Sequence, residues 1–356
     1  MPNNNVRAVL QTAFLFSSLI LIVILPGCEG KKKDMKGQPV RDSIAIDSTN
    51  LSVLDGLIRQ NPKSPELFAR RATIQASRKN YTLALNDITI ALSLDSLKPQ
   101  YFIQQAEYFI FGGQPNSAKK ALNACLQRFP NNTDVMLKLA EIHLYMKEYS
   151  QSKLVLNDIL PINDDLAQIY FLQGLIALEN GDSTGAARNF QVTIEKEPSY
   201  YAAYVQAAKI FAARHSDLAV QYLKSAIDLE PDSYEAHYEL GLFYQNHGLY
   251  NEANQEYELI SSRIDSTQPY PYFNRGYIEM VYMGNYPKAV EWYDQAIRHK
   301  PDYAEAWYNR GFSYELDGKL SRAREDYKKA IELQPNFPLA IKGLNRIDAG
   351  KPLKIR

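Results

Sequence analysis

The sequence predicts an all-α solenoid of about eight helix-turn-helix repeats, and three observations predict it. A small residue recurs at Ala72, Ala106, Ala140, Gly174, Ala208, Gly241, Gly276 and Gly311, at intervals of 34, 34, 34, 34, 33, 35 and 35 residues. A second small residue follows in every unit, at Ala84, Ala118, Ser152, Ala186, Ala219, Ala253, Ala289 and Ala323. A large one stands four positions beyond it each time: Ile88, Leu122, Leu156, Phe190, Leu223, Tyr257, Tyr293 and Tyr327. Self-similarity at a fixed period of this length marks stacked supersecondary units.

The chain opens on a different kind of text. "MPNNNVR" supplies one positive charge, "AFLFSSLILIVIL" supplies thirteen largely apolar residues, and "PGC" follows. Such a run is short of the roughly 20 residues a membrane-spanning helix needs and suits a secretory leader. Leu25, Gly27 and Cys28 resemble a bacterial lipobox, so residues 1–27 read as a lipoprotein signal peptide. The resemblance implies that the Cys28 thiol is acylated, palmitate being one such chain, and that Cys28 becomes the mature N-terminus. An uncleaved N-terminal anchor is the alternative, and either one places the repeats outside the cytoplasmic membrane. Residues 28–50 then form a flexible tether, charged and poor in large apolar groups, with a coil span of about 25 Å. "KKKDMK" within it has the charge to lie on anionic headgroups, although a solvated linker is the plainer reading. Glu29-Gly30-Lys31-Lys32 departs from the acidic run in which surface-exported bacterial lipoproteins resemble one another. The expected location is therefore the cell envelope, lipid-anchored at the outer membrane and facing the periplasm. The tripeptides beginning at Asp42, Asp47, Asp95, Asp182 and Asp265 resemble an O-glycosylation sequon.

Residues 51–64 read as an N-terminal capping helix, with Ser48 and Thr49 available as N-caps. The repeats follow over 65–337. In the last of them Trp307, Gly311 and Tyr314 share one face of a first helix, a break comes near Asp317-Gly318, and Ala323, Tyr327 and Ala330 share a face of the second. Two antiparallel helices approach closely only where side chains are small, which accounts for glycine inside a helix. Several units close on proline, at Pro130, Pro198, Pro231, Pro301 and Pro335, which cannot continue the preceding helix. A single pair cannot bury its apolar faces, so neighbours must stack. Residues 338–356 read as a C-terminal capping helix and tail.

Trp307, Gly311, Tyr314, Ala323, Tyr327, Ala330 and Pro335 together resemble the tetratricopeptide repeat pattern, and the resemblance covers roughly three-quarters of the chain. It implies a right-handed α-solenoid whose first helices line a concave groove that receives extended peptides or partner helices. The first, third and sixth units carry Ser96, Asp164 and Asp265 where the closing proline is expected.

Composition excludes several function classes. Forty basic and forty acidic residues leave no net charge, so the footprint of a nucleic-acid binder is absent. Of the two cysteines, Cys125 falls in the small column of Ala91, Ala226, Ala296 and Ala330 and reads as a buried thiol. His237 and His143 fall in packing columns. The chain contains no HExxH, CxxC, GxSxG or phosphate-binding glycine loop. No enzyme activity, cofactor or metal is expected.

Binding is therefore sought in the groove. Tyr308 and Phe312, Phe273 and Tyr277, and Tyr238 one unit earlier are expected to form an exposed aromatic strip, with Asn274 and Asn309 offering amides to a bound chain. Packing is the plainer alternative for the same residues. "IYFLQGLIAL" at 169–178 is apolar nearly all round and supplies Phe171, Leu175 and Leu178 as a second candidate surface, which a partner, a second copy of the chain or the chain's own N-terminal segment would cover. The expected function is a membrane-tethered, non-enzymatic scaffold for an envelope protein or peptide, in envelope assembly. The alternative is a glycan-binding envelope lipoprotein that uses the aromatic groove.

Overall fold

The computed structural model describes residues 51–353, which are helix and turn, with no strand among the described residues. Cys28, the leader and the tether lie outside them. The described residues form two compact units divided between Pro198 and Ser199. The N-terminal unit opens on α1 (Leu51–Gln60) and continues in four helix pairs. These are α2 (Pro65–Ser77) with α3 (Tyr81–Leu94), α4 (Pro99–Phe111) with α5 (Pro115–Arg128), α6 (Thr133–Tyr145) with α7 (Tyr149–Ile159), and α8 (Ala167–Glu179) with α9 (Ser183–Lys196). The C-terminal unit pairs α10 (Tyr201–Ala213) with α11 (Leu218–Leu229) and α12 (Tyr234–Asn246) with α13 (Tyr250–Leu259). It then pairs α14 (Pro269–Ile278) with α15 (Tyr286–His299) and α16 (Ala304–Leu316) with α17 (Leu320–Leu333), and ends on α18 (Pro338–Asp348).

Local chemistry explains these boundaries. Proline opens α2, α4, α5, α14 and α18, where its missing N–H costs nothing. Asn132, Asp182, Ser233 and Asn285 accept from the N–H three residues on and so cap α6, α9, α12 and α15. The repeat-closing prolines stand in the turns between repeats. Within each repeat one residue takes a left-handed conformation between the two helices: Lys79, Gly113, Lys147, Gly181, His215, Gly248, Gly284 and Gly318.

The small column has a sharper rule than helix proximity alone. Alanine faces an aliphatic residue in four repeats: Ala72 with Ile88, Ala106 with Leu122, Ala140 with Leu156 and Ala208 with Leu223. Glycine faces an aromatic one in the other four: Gly174 with Phe190, Gly241 with Tyr257, Gly276 with Tyr293 and Gly311 with Tyr327. A Cβ added at Gly174 would lie 2.5 Å from the Phe190 ring, one at Gly241 2.6 Å from Tyr257, and one at Gly276 2.9 Å from Tyr293. These aromatic rings are fully buried. The hydroxyl of Tyr257 donates to Gln245 at 3.0 Å and that of Tyr327 to Glu315 at 2.6 Å. Met280 holds the corresponding place in the seventh repeat, and the Tyr293 hydroxyl has no partner among the described residues.

A second column staples the turns between repeats. Tyr170 donates to the Asp164 carbonyl at 3.1 Å, Tyr272 to Ser266 at 3.2 Å and Trp307 to Pro301 at 2.8 Å. His237 Nε2 reaches the Pro231 carbonyl at 3.1 Å while its Nδ1 meets the Glu256 carboxylate at 2.6 Å. Both neighbours accept, so the ring donates from both nitrogens, and the Glu256 bond raises its pKa. Trp307 is thus only half-buried, contrary to its expected core position, and Arg310 covers its ring at 4.5 Å.

The two 35-residue intervals have a local cause. Between Ala253 and Gly276, and between Gly276 and Ala289, the chain carries one residue more than the commonest spacing in the other repeats. Each extra residue falls in a π-helical segment, Ile260–Ile264 or Glu279–Met283. Asp265 N–H donates to Ile260 O at 2.8 Å in the first, and Gly284 N–H to Glu279 O in the second. A π-bulge of this kind accommodates an insertion without ending the helix.

An arginine on the first helix clips the helix before it to the one after it. Arg71 bonds Asp55 at 2.7 Å and Asp87 at 2.6 Å, and Arg310 bonds Asp294 and Asp326, both at 2.6 Å. In every case the carboxylate lies sixteen residues away. Arg275 occupies the same column, but Trp292 replaces one carboxylate and takes the guanidinium on its ring at 3.8 Å. Cys125 is buried in the N-terminal unit, and burial pushes its thiol pKa up.

The glycine–aromatic rule predicts a rescue. Gly174→Ala should cost roughly 1–3 kcal/mol by overpacking Phe190, as read by urea denaturation. Adding Phe190→Leu, which recreates the Ala–Leu pair of the second, third and fifth repeats, should recover most of that loss. Losses that simply add in the double variant would refute the rule.

Candidate partner-binding face

A helix turns 100° per residue, so positions six and two before the small residue, and one and five after it, point away from the partner helix. These positions define the inner face of each first helix. In the N-terminal unit Lys138 on α6 lies between Glu107 on α4, at 3.1 Å, and Glu141, at 2.8 Å. Gln168 on α8 donates to Glu141 in turn. The C-terminal unit repeats the arrangement, with Lys209 on α10 at 2.6 Å from Glu235 and 3.6 Å from Glu239, both on α12. Burial opposes the charge of each lysine, yet the paired glutamates outweigh it and hold both ammonium groups above their ordinary value. Each lysine serves two carboxylates, so both clusters are net acidic on a chain whose total charge is zero.

The expected aromatic strip is not an exposed one. Tyr308 and Phe312 are 4 % and 2 % exposed and belong to the core of the last repeats. Tyr308 packs against Phe312, Tyr327 and Phe337 at ring separations of 5.9, 5.8 and 5.2 Å. Phe273 lies between Tyr293 and Tyr303, at 5.6 and 5.0 Å. The residue three before the glycine is only 60° from the helix crossing, and the next repeat covers it. Tyr238, in that same column, is half-buried and stacks on Tyr234 at 5.5 Å.

The asparagines are buried as well. Asn274 donates to the Tyr238 hydroxyl at 3.2 Å and Asn309 to the Glu305 carbonyl at 2.8 Å. Neither amide stands free to meet a bound chain as expected. Tyr277 is half-buried with its ring edge-on to Tyr282 at 5.9 Å.

The second candidate surface is also largely internal. Leu175 is buried, Phe171 and Leu178 are half-buried, and the Phe171 ring lies 5.6 Å from Phe190. The apolar girth of α8 is used within its own unit.

What sequence reasoning missed is polar. Glu107, Lys138, Glu141, Lys209, Glu235 and Glu239 sit in the inner columns at the repeat period, and that spacing was the available signal. Among the described residues no group of three or more His, Cys, Asp or Glu is arranged to hold a metal ion, and no helix is long and apolar enough to cross a membrane.

Paired helices at one repeating spacing and glycine–aromatic crossings define an all-α helical-repeat protein. Family models of the tetratricopeptide repeat match residues 112–176, 211–269 and 304–337, and a further TPR repeat model matches 279–318. Together they take in about half of the sequence, and the chain is a tetratricopeptide repeat protein. It is 27% identical over 136 residues to the human protein O-mannosyl-transferase TMTC3, covering 35% of this chain and 15% of that one. It is 22% identical over 227 residues to the DnaJ homolog subfamily C member 3 homolog of Dictyostelium discoideum, covering 59% and 45%. Similarity to Superkiller complex protein 3 of Mus musculus is 20% over 299 residues, covering 81% and 19%. The chain spans less than half the length of each of these relatives.

Among solved structures, the Cut9–Hcn1 hetero-tetramer of the APC/C matches with a TM-score of 0.51 at 17% identity, covering 84% of this chain and 58% of that one. The C-terminal part of a TPR repeat-containing protein from Cytophaga hutchinsonii matches at 0.57 and 16%, covering 68% and 99%. These likenesses establish the fold.

One buried carboxylate closes the C-terminal end of the array. Glu315, 1 % exposed, accepts from Arg346 at 2.9 and 2.6 Å, from the Tyr327 hydroxyl, and from the Leu353 N–H at 3.0 Å. Burial alone would raise its pKa, but these bonds outweigh burial and hold the carboxyl below its ordinary value of 4.5. A depressed folded value stabilises docking above the unfolded pKa, and that contribution is lost as pH falls through the folded one. Hydrogen exchange across 338–353 should therefore accelerate below about pH 4, before the rest of the C-terminal unit loosens. Glu315→Gln should leave this segment weakly protected at pH 7 and indifferent to acid. Equal acid sensitivity in the variant would refute the assignment.

Proposed function

We propose that this protein is a non-enzymatic scaffold, lipid-anchored through Cys28, that seats an extended segment of a partner protein on the inner face of its first helices. The charged cluster on that face of each unit carries the reading. Glu107, Lys138 and Glu141 in one unit, and Lys209, Glu235 and Glu239 in the other, present hydrogen-bonding groups at the repeat period. Each cluster keeps one carboxylate in excess of its lysine, and the recurrence of that excess in both units accords with recognition. Tetratricopeptide arrays mediate protein–protein contacts, and one relative, Superkiller complex protein 3, is by name a component of an assembly. The leader resembling a lipobox supports a tether at the outer membrane, facing the periplasm, with an envelope protein as partner. The glycan alternative rests on the aromatic strip, and burial of Tyr308, Phe312 and Phe273 takes those rings out of reach.

Two measurements test this. Photo-crosslinking residues placed at Glu107, Glu141 and Leu242 of the full chain in cells should capture a discrete protein, and those at exposed Lys224 and Lys328 on second helices should not. Capture confined to Lys224 and Lys328 would overturn the inner face as the binding surface. Cys28→Ala should shift the protein from the membrane pellet to the soluble fraction or stall its processing. Salt-resistant membrane association with normal processing in that variant would overturn the lipid anchor.

A further inference from the structure

The inner face of the C-terminal unit contains an open pocket of about 260 Å³, lined by Ala212, Ala213, Glu239, Leu242, Phe243 and Asn246 together with His215 and His247. Small-molecule sites usually span about 300–1,000 Å³, so this one suits a single side chain. Glu239, Leu242, Phe243 and Asn246 stand at i, i+3, i+4 and i+7 on α12 and share one helix face. Opposite them lie the methyl groups of Ala212 and Ala213 at the end of α10. The far end is aromatic. His247 stacks on Phe243 at 3.9 Å, held there by its Nδ1 bond to the Phe243 carbonyl at 2.8 Å, and the His215 ring lies 5.6 Å away.

The pocket thus has an apolar floor, an aromatic wall and one carboxylate. That carboxylate is under-supplied with positive charge. The nearest cation, Lys209, is bonded to Glu235 at 2.6 Å and stands 3.6 Å from Glu239. The Glu239 side chain is only 28 % exposed, and burial, partly offset by Lys209, raises its pKa above the ordinary carboxylate value. A second cation at this position would restore balance in a cluster of two carboxylates and one ammonium.

The geometry points to this pocket as the anchor for a lysine or arginine side chain of the bound partner segment, with the aliphatic stem on Ala212, Ala213 and Leu242 and the cationic head on Glu239. Long basic side chains bury an apolar stem and keep a charged head paired. The assignment rests on the inner face being the binding surface and names the partner chemistry there.

The test uses the full chain with methyl-labelled alanine and leucine, titrated with the Nα-acetyl amides of arginine, lysine and norleucine. Arginine and lysine amides should move the Ala212, Ala213 and Leu242 methyl signals saturably. Norleucine amide, which has the stem without the charge, should bind at least about tenfold more weakly, the ratio that corresponds to 1.4 kcal/mol. Glu239→Gln should abolish that preference while leaving helical content and distant methyl signals unchanged. Equal binding of norleucine, or a preserved preference in Glu239→Gln, would overturn the pocket assignment. Should inner-face crosslinking persist in that event, only the pocket assignment fails. Loss of inner-face crosslinking in the unmodified chain would instead remove the scaffold reading beneath it.

Discussion

An aromatic ring resting on bare backbone sets the distance between paired helices in half of the repeats. Where the second helix contributes Phe190, Tyr257, Tyr293 or Tyr327, the first helix withdraws its side chain altogether and offers Gly174, Gly241, Gly276 or Gly311. Where the second helix contributes leucine or isoleucine, alanine returns. The two solutions fill the same gap from opposite sides, so both kinds of pair stack on a common neighbour. Interiors are packed closely enough that one methyl group decides whether a crossing fits. Tyr257 and Tyr327 gain something more, because their hydroxyls reach through the crossing to Gln245 and Glu315 and tie the core to polar groups beyond it.

The period, the two small columns and the helix pairs were legible in the sequence because they follow from spacing alone. The inner face was not. Adjacent positions on a helix differ by 100°, and whether a flank is covered depends on how the next repeat leans on it. Tyr308 therefore passed for a groove residue although Phe337 and Tyr327 enclose it, and Trp307 passed for core although its indole reaches out to the Pro301 carbonyl. Aromatic character drew the eye to rings that serve packing and turn-stapling. Pairing across repeats, as between Lys138 and Glu107, involves residues thirty-one positions apart and is invisible to any local pattern.

Charge is organised by column as well as by total. The Arg71 and Arg310 clips consume their carboxylates inside the stack, and the inner face carries an excess of glutamate over lysine in each cluster. A sum of zero over the whole sequence conceals this separation. Electrostatic preference for a partner is a property of a face, and in each unit the inner face departs from the sum.

The π-helical segments bear on how such a chain tolerates change in length. An extra residue in a regular helix would rotate everything after it by 100° and carry Tyr293 or Ala289 out of the crossing. Ile260–Ile264 and Glu279–Met283 each absorb one residue within a single wide turn, and the columns resume in phase afterwards. They act as reading-frame buffers in three dimensions. An insertion that would otherwise scramble every later repeat becomes a local swelling, and the downstream face presented to a partner stays the same.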